Sequence, residues 1–446
     1  MRHGFAPARA RRSCPEACVW QNARMKRRLR GPSNRLLALA LAVFVAGCGS
    51  GGRTPSPATA SPAKSESPPA TAASAQSDQA TFAAIERQVE TLRRLNPAAP
   101  VTPVLLDPTE LTDKLTAINA AQTDHNAMAD ESRLYIHLGL IPAGSSLEQM
   151  ELALDAGQVI GFYDPDSKGL YVLSTSGGVG ALEKATFSHE YTHALQDQNF
   201  GLDKLATDTA DQGDQDLARI ALPEGDATLA MSLWESKNLS LADLLSLAVD
   251  SSGGGQADQL AAAPAILRET LLFPYEDGLS FVRGIYDEGG WDAVNKLYAN
   301  PPDSTSQILH PDLYASRVKP VALTVPAVPA ALGSGWKLTM QDTLGELQLR
   351  IWLEGESPTA AETAAATSAT SEWGGDRVGL YEGPNGSWAV VLRTQWRTAD
   401  GGSAFHDAVA TRVTGLSTAA GVCAKGSAAT VYLASDAATL AAFASC

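Results

Sequence analysis

The residues best placed to do chemistry are His189, Glu190 and His193, in the stretch ATFSHEYTHALQDQNF over residues 185–200. On a helix, residues four apart share a face, so two imidazoles at this spacing can aim at one metal ion. Glu190 is turned about 100° from His189. That offset keeps it out of the metal's coordination shell but within reach of a water beside the ion, where a carboxylate can act as general base and later pass the proton to a leaving amine. Phe187, Ala194 and Leu195 are available to pack the far side, where a solvated chance match would carry charges. A catalytic zinc usually takes three protein ligands, so a third is expected from outside this helix. Glu224 in PEGDAT, 31 positions after His193, is the strongest candidate; the alternative is a capping or surface carboxylate beside Pro223. Gly225 would let helices approach closely, and Asp226 or Thr228 would orient a histidine by hydrogen bonding.

HEYTH followed by EGDA resembles the gluzincin metallopeptidases, in which HExxH is followed by a glutamate ligand on a later helix. More narrowly, GFYDPDSKGLYV, HEYTHALQDQ, PEGDAT, GGWDAV and STSQILHP resemble a group of exported bacterial proteins, over about residues 80 to 400. The resemblance implies one Zn²⁺ held by His189, His193 and Glu224, a peptide or protein substrate, and a sheet whose edge strand holds that substrate extended. Gluzincins commonly add a histidine or tyrosine that stabilises the oxyanion. His310 in QILHP is the leading candidate and Tyr275 in PYEDG the second; a structural histidine ending a helix before Pro311 is the other reading of His310. Trp291 and Tyr298 are expected in the core, His137 packed or solvated, and His406 on a helix surface.

The elements that must position these groups follow from periodicity. TFAAIERQVETLRRL reads as a helix and VTPVLL as a strand, ended by Asp107-Pro108-Thr109-Glu110, a capping-box-like helix start. Helical patterns follow in LTDKLTAINAA, DESRLYIHLGL and SLEQMELALDA. QVIGFYDPDSKGLYVLS reads as a hairpin immediately before the histidine helix. The next helix, Asp216 to Lys237, contains Pro223, which should bend or break it. A Gly-rich loop near residue 254 and further helices complete a first domain. Beyond VPAVPA the order becomes helix, helix, strand, strand, helix, strand, helix. The fold class is therefore α+β: a mainly helical, zincin-like catalytic domain with a small N-terminal sheet and hairpin over 80–320, then a smaller α+β domain over 321–446.

The first 79 residues differ in composition. MKRRLR from Met25 and the apolar LLALALAVFVAGC over 36–48 have the form of a secretory signal, with the expected start at Met25. Val45-Ala46-Gly47-Cys48 resembles a lipobox, which implies a lipid-bearing Cys48 as first mature residue, a membrane anchor and a cell-envelope location; a short transmembrane anchor is the alternative. Residues 49–79, rich in Ser, Pro and Ala, read as a flexible tether. Loss of residues 1–48 turns a net charge of −15 into −24, since 24 basic and 48 acidic residues remain. Such a chain is a poor nucleic-acid binder. Cys423 and Cys446 remain as an even pair, expected to form a disulfide. The expected activity is metal-assisted peptide hydrolysis. The alternatives are a noncatalytic envelope lipoprotein that keeps the metal site and binds a partner, and a zinc hydrolase of non-peptide amides or esters; oligomeric state is not legible.

Overall fold

A computed structural model describes residues 72–158, 160–173, 179–205, 211–252 and 255–444. The signal segment, Cys48 and most of the tether lie outside these residues, as does Cys446. The described residues begin with α1 (Ala72–Arg93), so the last residues assigned to the tether, 72–79, are helical; AASAQSDQ contains no proline to oppose a helix. Next come β1 (Pro103–Leu106), α2 (Pro108–Gln122), α3 (His125–Leu138), α4 (Leu147–Gln158), β2 (Gly161–Asp164) and β3 (Gly169–Leu173). The capping box at α2 is present: Asp107 accepts from the Thr109 and Glu110 amides while Glu110 accepts from the Asp107 amide. The three strands form a sheet ordered β1-β3-β2, with β1 parallel and β2 antiparallel to β3. The expected hairpin therefore exists, and β2 is an edge strand.

The histidine helix is α5 (Ala181–Phe200), followed by α6 (Gly213–Asn238), α7 (Leu241–Ser252), α8 (Gly255–Ala262) and α9 (Ala265–Leu297). Every residue of α5 from Ala185 to Asp197 is buried. A helix enclosed on all sides shows no amphipathic stripe. α1 covers it, with Phe82 and Phe187 rings 4.4 Å apart. Pro223 does not break α6, which runs through it as one helix. The residues around Pro223 are all buried, so packing holds the helix in register despite the missing amide donor.

Close approach is required at one crossing. A Cβ on Gly225 would lie 2.2 Å from the Gly278 carbonyl oxygen, and one on Gly278 would lie 2.4 Å from the Ala221 carbonyl oxygen. The partner of Gly225 is thus α9 rather than the histidine helix.

Two short helices, α10 (Thr305–Leu309) and α11 (Pro311–Ala315), lead to a second unit: β4 (Lys337–Asp342), α12 (Gly345–Glu354), α13 (Ala360–Thr370), β5 (Trp373–Glu382), β6 (Trp388–Trp396), α14 (Ala399–Val413), β7 (Ala419–Lys425), β8 (Ala428–Ala434) and α15 (Ala437–Phe443). Its sheet is antiparallel with order β4-β5-β6-β8-β7. The two strands absent from the sequence reading, β4 and β7, are its edges. Neither contains a fully buried residue, so neither carries a strong apolar alternation. Cys423 on β7 is disulfide-bonded.

The core is continuous across the junction near residue 320: Leu217, Ala221 and Phe281 belong to the same buried cluster as Trp352, Trp373 and Val378. Carboxylates are buried along this seam. Asp214 accepts from the Thr305 amide and hydroxyl, and Asp376 from the Leu344 and Gly345 amides. Burial raises Asp214 and Asp342 to about 8 and Asp376 to about 6, against the opposing pull of these hydrogen bonds.

Two outcomes follow. Gly225→Ala should destabilise the protein by about 3 kcal/mol, because two backbones must separate; a denaturant titration measures this. The folded state holds protons on the seam carboxyls that the unfolded chain releases above about pH 4. Stability should therefore be fullest in acid and decline as pH rises toward 8, read as a falling melting temperature, and Asp214→Asn should flatten that decline.

Candidate metal centre

The centre is built by α5 and α6 lying side by side. His189 Nε2 is 3.0 Å from His193 Nε2 and 3.2 Å from Glu224 Oε2, and His193 Nε2 is 3.3 Å from that same oxygen. Among the described residues, this is the group of three or more His, Cys, Asp or Glu side chains whose ligand atoms all lie within 4.8 Å of one another. All three residues are buried. The site can hold a metal ion.

The positioning comes from a hydrogen-bond network centred on Asp226 that reaches the cluster through Gln196. Asp226, two residues past Glu224, is fully buried. The Arg93 guanidinium donates to it through Nε at 2.7 Å and Nη2 at 2.9 Å, and the Tyr298 hydroxyl donates at 2.6 Å. The Gln196 amide also donates to Asp226 at 3.0 Å and to the Pro223 carbonyl at 3.0 Å. With both N–H groups so used, Gln196 presents its oxygen to His193 Nδ1, 2.8 Å away. Nδ1 must then carry the hydrogen, which leaves the Nε2 lone pair for the cluster.

Two nitrogens and a carboxylate oxygen at this spacing are held together by a shared N–H hydrogen or by a metal ion. Burial alone would lower His193, but the charge of Glu224 and its hydrogen bond outweigh burial and raise His193 to about 9. His189 is lowered by burial. Burial would raise Glu224, yet His193 and His189 hold it down to about 2. A proton and a metal ion would therefore compete for the same His193 lone pair. The other Glu224 oxygen, Oε1, is buried without a hydrogen-bond partner, which leaves it free to ligate.

Glu190 lies beside the cluster. The Tyr163 amide of β2 donates to its Oε2 at 2.7 Å, and Oε1 has no partner. Burial raises Glu190 to about 8, helped by Glu224 and opposed by His193 and the Tyr163 amide. The Tyr163 hydroxyl donates to Asp197 at 2.8 Å, fixing β2 against the end of α5.

The structure separates the two oxyanion candidates. The Tyr275 ring stacks toward His189, with centroids 6.1 Å apart. His310 instead pairs with Glu346 of α12 at 2.8 Å, joining α10 and α11 to the second unit. Of the two residues expected to orient a histidine, Asp226 does so through Gln196, while the Thr228 hydroxyl has no partner. Trp291 and Tyr298 are largely buried as expected. His137 is packed, stacked on Trp388 at 3.8 Å. Gln196 was missed although it lies one turn after His193, where helical spacing predicts contact. Arg93 gives no such signal, since 133 residues separate it from Asp226.

Residues 337–444 match a protein-family model described as a domain of unknown function (DUF8575). No curated protein matches the chain, and no solved structure matches it. The matched segment is the second sheet unit, and the His189, His193 and Glu224 cluster lies outside it.

Metal uptake must displace the proton held by His193, so affinity should rise about tenfold per pH unit until about pH 9. Calorimetry in two buffers of different ionisation enthalpy should show about one proton released per ion. Gln196→Ala should weaken metal binding about 10–100-fold while leaving its stoichiometry unchanged.

Proposed function

We propose that this protein is a zinc-dependent hydrolase of the gluzincin kind that cleaves peptide bonds. The observation that carries this reading is Glu190: a buried carboxylate beside the metal cluster, with one oxygen tied to the Tyr163 amide and the other unpartnered. A purely structural site has no use for such a base. The donor set also suits zinc. Ligands about 2.0–2.1 Å from a tetrahedral zinc lie about 3.3 Å from one another, against 3.0 to 3.3 Å here. Bound there, zinc would supply Lewis acidity, polarising the scissile carbonyl and acidifying the attacking water.

The protein's own groups would do the rest. Burial raises Glu190 to about 8 and the neighbouring positive charge on His193 opposes it. A cation held by the cluster would act in the same direction as His193 and keep Glu190 ionised, so that it would take a proton from the water near neutral pH and return it to the leaving amine nitrogen. The Tyr163 amide keeps its carboxylate aimed during both transfers. Tyr275, whose ring stacks toward His189, would steady charge on the carbonyl oxygen through its hydroxyl. β2, the edge of its sheet and fastened to α5, is buried along its whole length, so an extended substrate would lie along it only once a path has opened. The signal-like segment and Cys48 would put this activity at the cell envelope on a lipid anchor; among the described residues no helix is long and apolar enough to cross a membrane.

One observation favours the noncatalytic reading. His189, Glu190, His193 and Glu224 are only 1–3% exposed, so substrate must open a path to them. A metal locked among four protein ligands would mark a structural site, and X-ray absorption of the loaded protein distinguishes that from a position left for water.

Glu190→Gln should retain zinc while hydrolysis of a peptide library falls by at least about 10²-fold. Undiminished hydrolysis in that variant excludes the mechanism.

A further inference from the structure

A cavity of about 670 Å³ lies on the other side of α1 from the chemistry described above, between the C-terminal half of that helix, the end of α6 and the Gly290 kink of α9. Its charged lining residues are all cations: Arg87, Arg94 and Lys237. Within a chain of net charge −15 this is a local inversion of sign. None of the three forms an ion pair among the described residues. The apolar wall is the half-buried Tyr286 ring. It is backed by buried Trp291, 4.6 Å away, whose own face is covered by the Arg93 guanidinium at 4.4 Å. Gln88 also lines the cavity; its oxygen accepts from Trp234, leaving its amide N–H groups as donors.

Arg87 acts on neighbouring Glu86, yet three cations and no carboxylate face the cavity itself, which favours an anionic occupant. A carboxylate offers one charge, whereas a phosphate monoester carries about −1.5 to −2 and three acceptor oxygens. The aromatic wall favours a ring that can lie against it. An extended polyanion would be repelled by a chain of net charge −15, which favours a compact ligand. We propose that this cavity binds a phosphate ester carrying a flat ring, of mononucleotide size. The size fits, since small-molecule sites typically enclose about 300–1,000 Å³. The same phosphate chemistry is offered by a soluble molecule and by a phospholipid headgroup.

The probes are adenosine monophosphate, adenosine, and phosphatidylcholine vesicles with and without phosphatidylglycerol, titrated into the full protein and into the Arg87→Gln/Lys237→Gln variant. Both substitutions fall on exposed helical positions, and equal melting temperatures confirm that the variant folds. The monophosphate should bind the unaltered protein at least tenfold more tightly than adenosine, lose at least tenfold in the variant, and weaken as salt rises. Vesicle binding that depends on phosphatidylglycerol and on the same two cations, in place of monophosphate binding, overturns the proposal, because that headgroup carries phosphate without a ring. Equal binding of each probe by both proteins, or binding of neither probe by the unaltered protein, overturns the proposal.

Discussion

The carboxylate of Asp226 is the point on which the arrangement depends. It receives Arg93 from α1, Gln196 from α5 and the Tyr298 hydroxyl from the end of α9, while itself belonging to α6. Four helices are thereby referred to one buried charge. Breaking such a pair strands an uncompensated charge and typically costs about 3–5 kcal/mol, although a buried ion pair need not be more stabilising than apolar packing. Its value here is positional. Glu224 lies two residues before Asp226 and His193 lies three before Gln196, so the network that fixes the helices also fixes both sides of the metal cluster.

The electrostatics of the centre follow from that enclosure. Removed from water, two imidazoles and a carboxylate at 3.0 to 3.3 Å must share a hydrogen or a metal ion among them. Glu224 keeps its negative charge because the histidines face it, and Glu190, turned one position around the helix, is pushed the other way by burial. Two carboxylates of similar intrinsic acidity are thus separated by environment into one suited to ligation and one suited to proton transfer. The same burial that tunes them restricts access, and so the chemistry and the closure of the site have one physical origin.

The second unit is joined to this body by core rather than by a linker alone. Trp352 donates to the Leu138 carbonyl of α3 at 2.9 Å, and His310 reaches Glu346. Asp214, near the start of α6, is buried against residues of α10 and lies at the junction with α12. The helix that carries Glu224 and Asp226 is therefore clamped at its start by the seam and midway by the Gly225 crossing.

The sequence by itself determined the local features: two histidines on one helix face, a base one position on, a glutamate and an aspartate two apart, a capping box, and a hairpin marked by Asp-Pro-Asp-Ser-Lys-Gly. Each depends on residues within a few positions of one another, where helical and strand periodicity dictate what shares a face. Packing decided the rest. It brought Arg93 to Asp226, sent His310 to Glu346 and Tyr275 to His189, carried α6 straight through Pro223, and added β4 and β7 as half-exposed edges of the second sheet. None of these could be read along the chain. Contacts between residues tens or hundreds of positions apart are set by which buried surfaces fit together, and a single sequence records the surfaces without recording the fit.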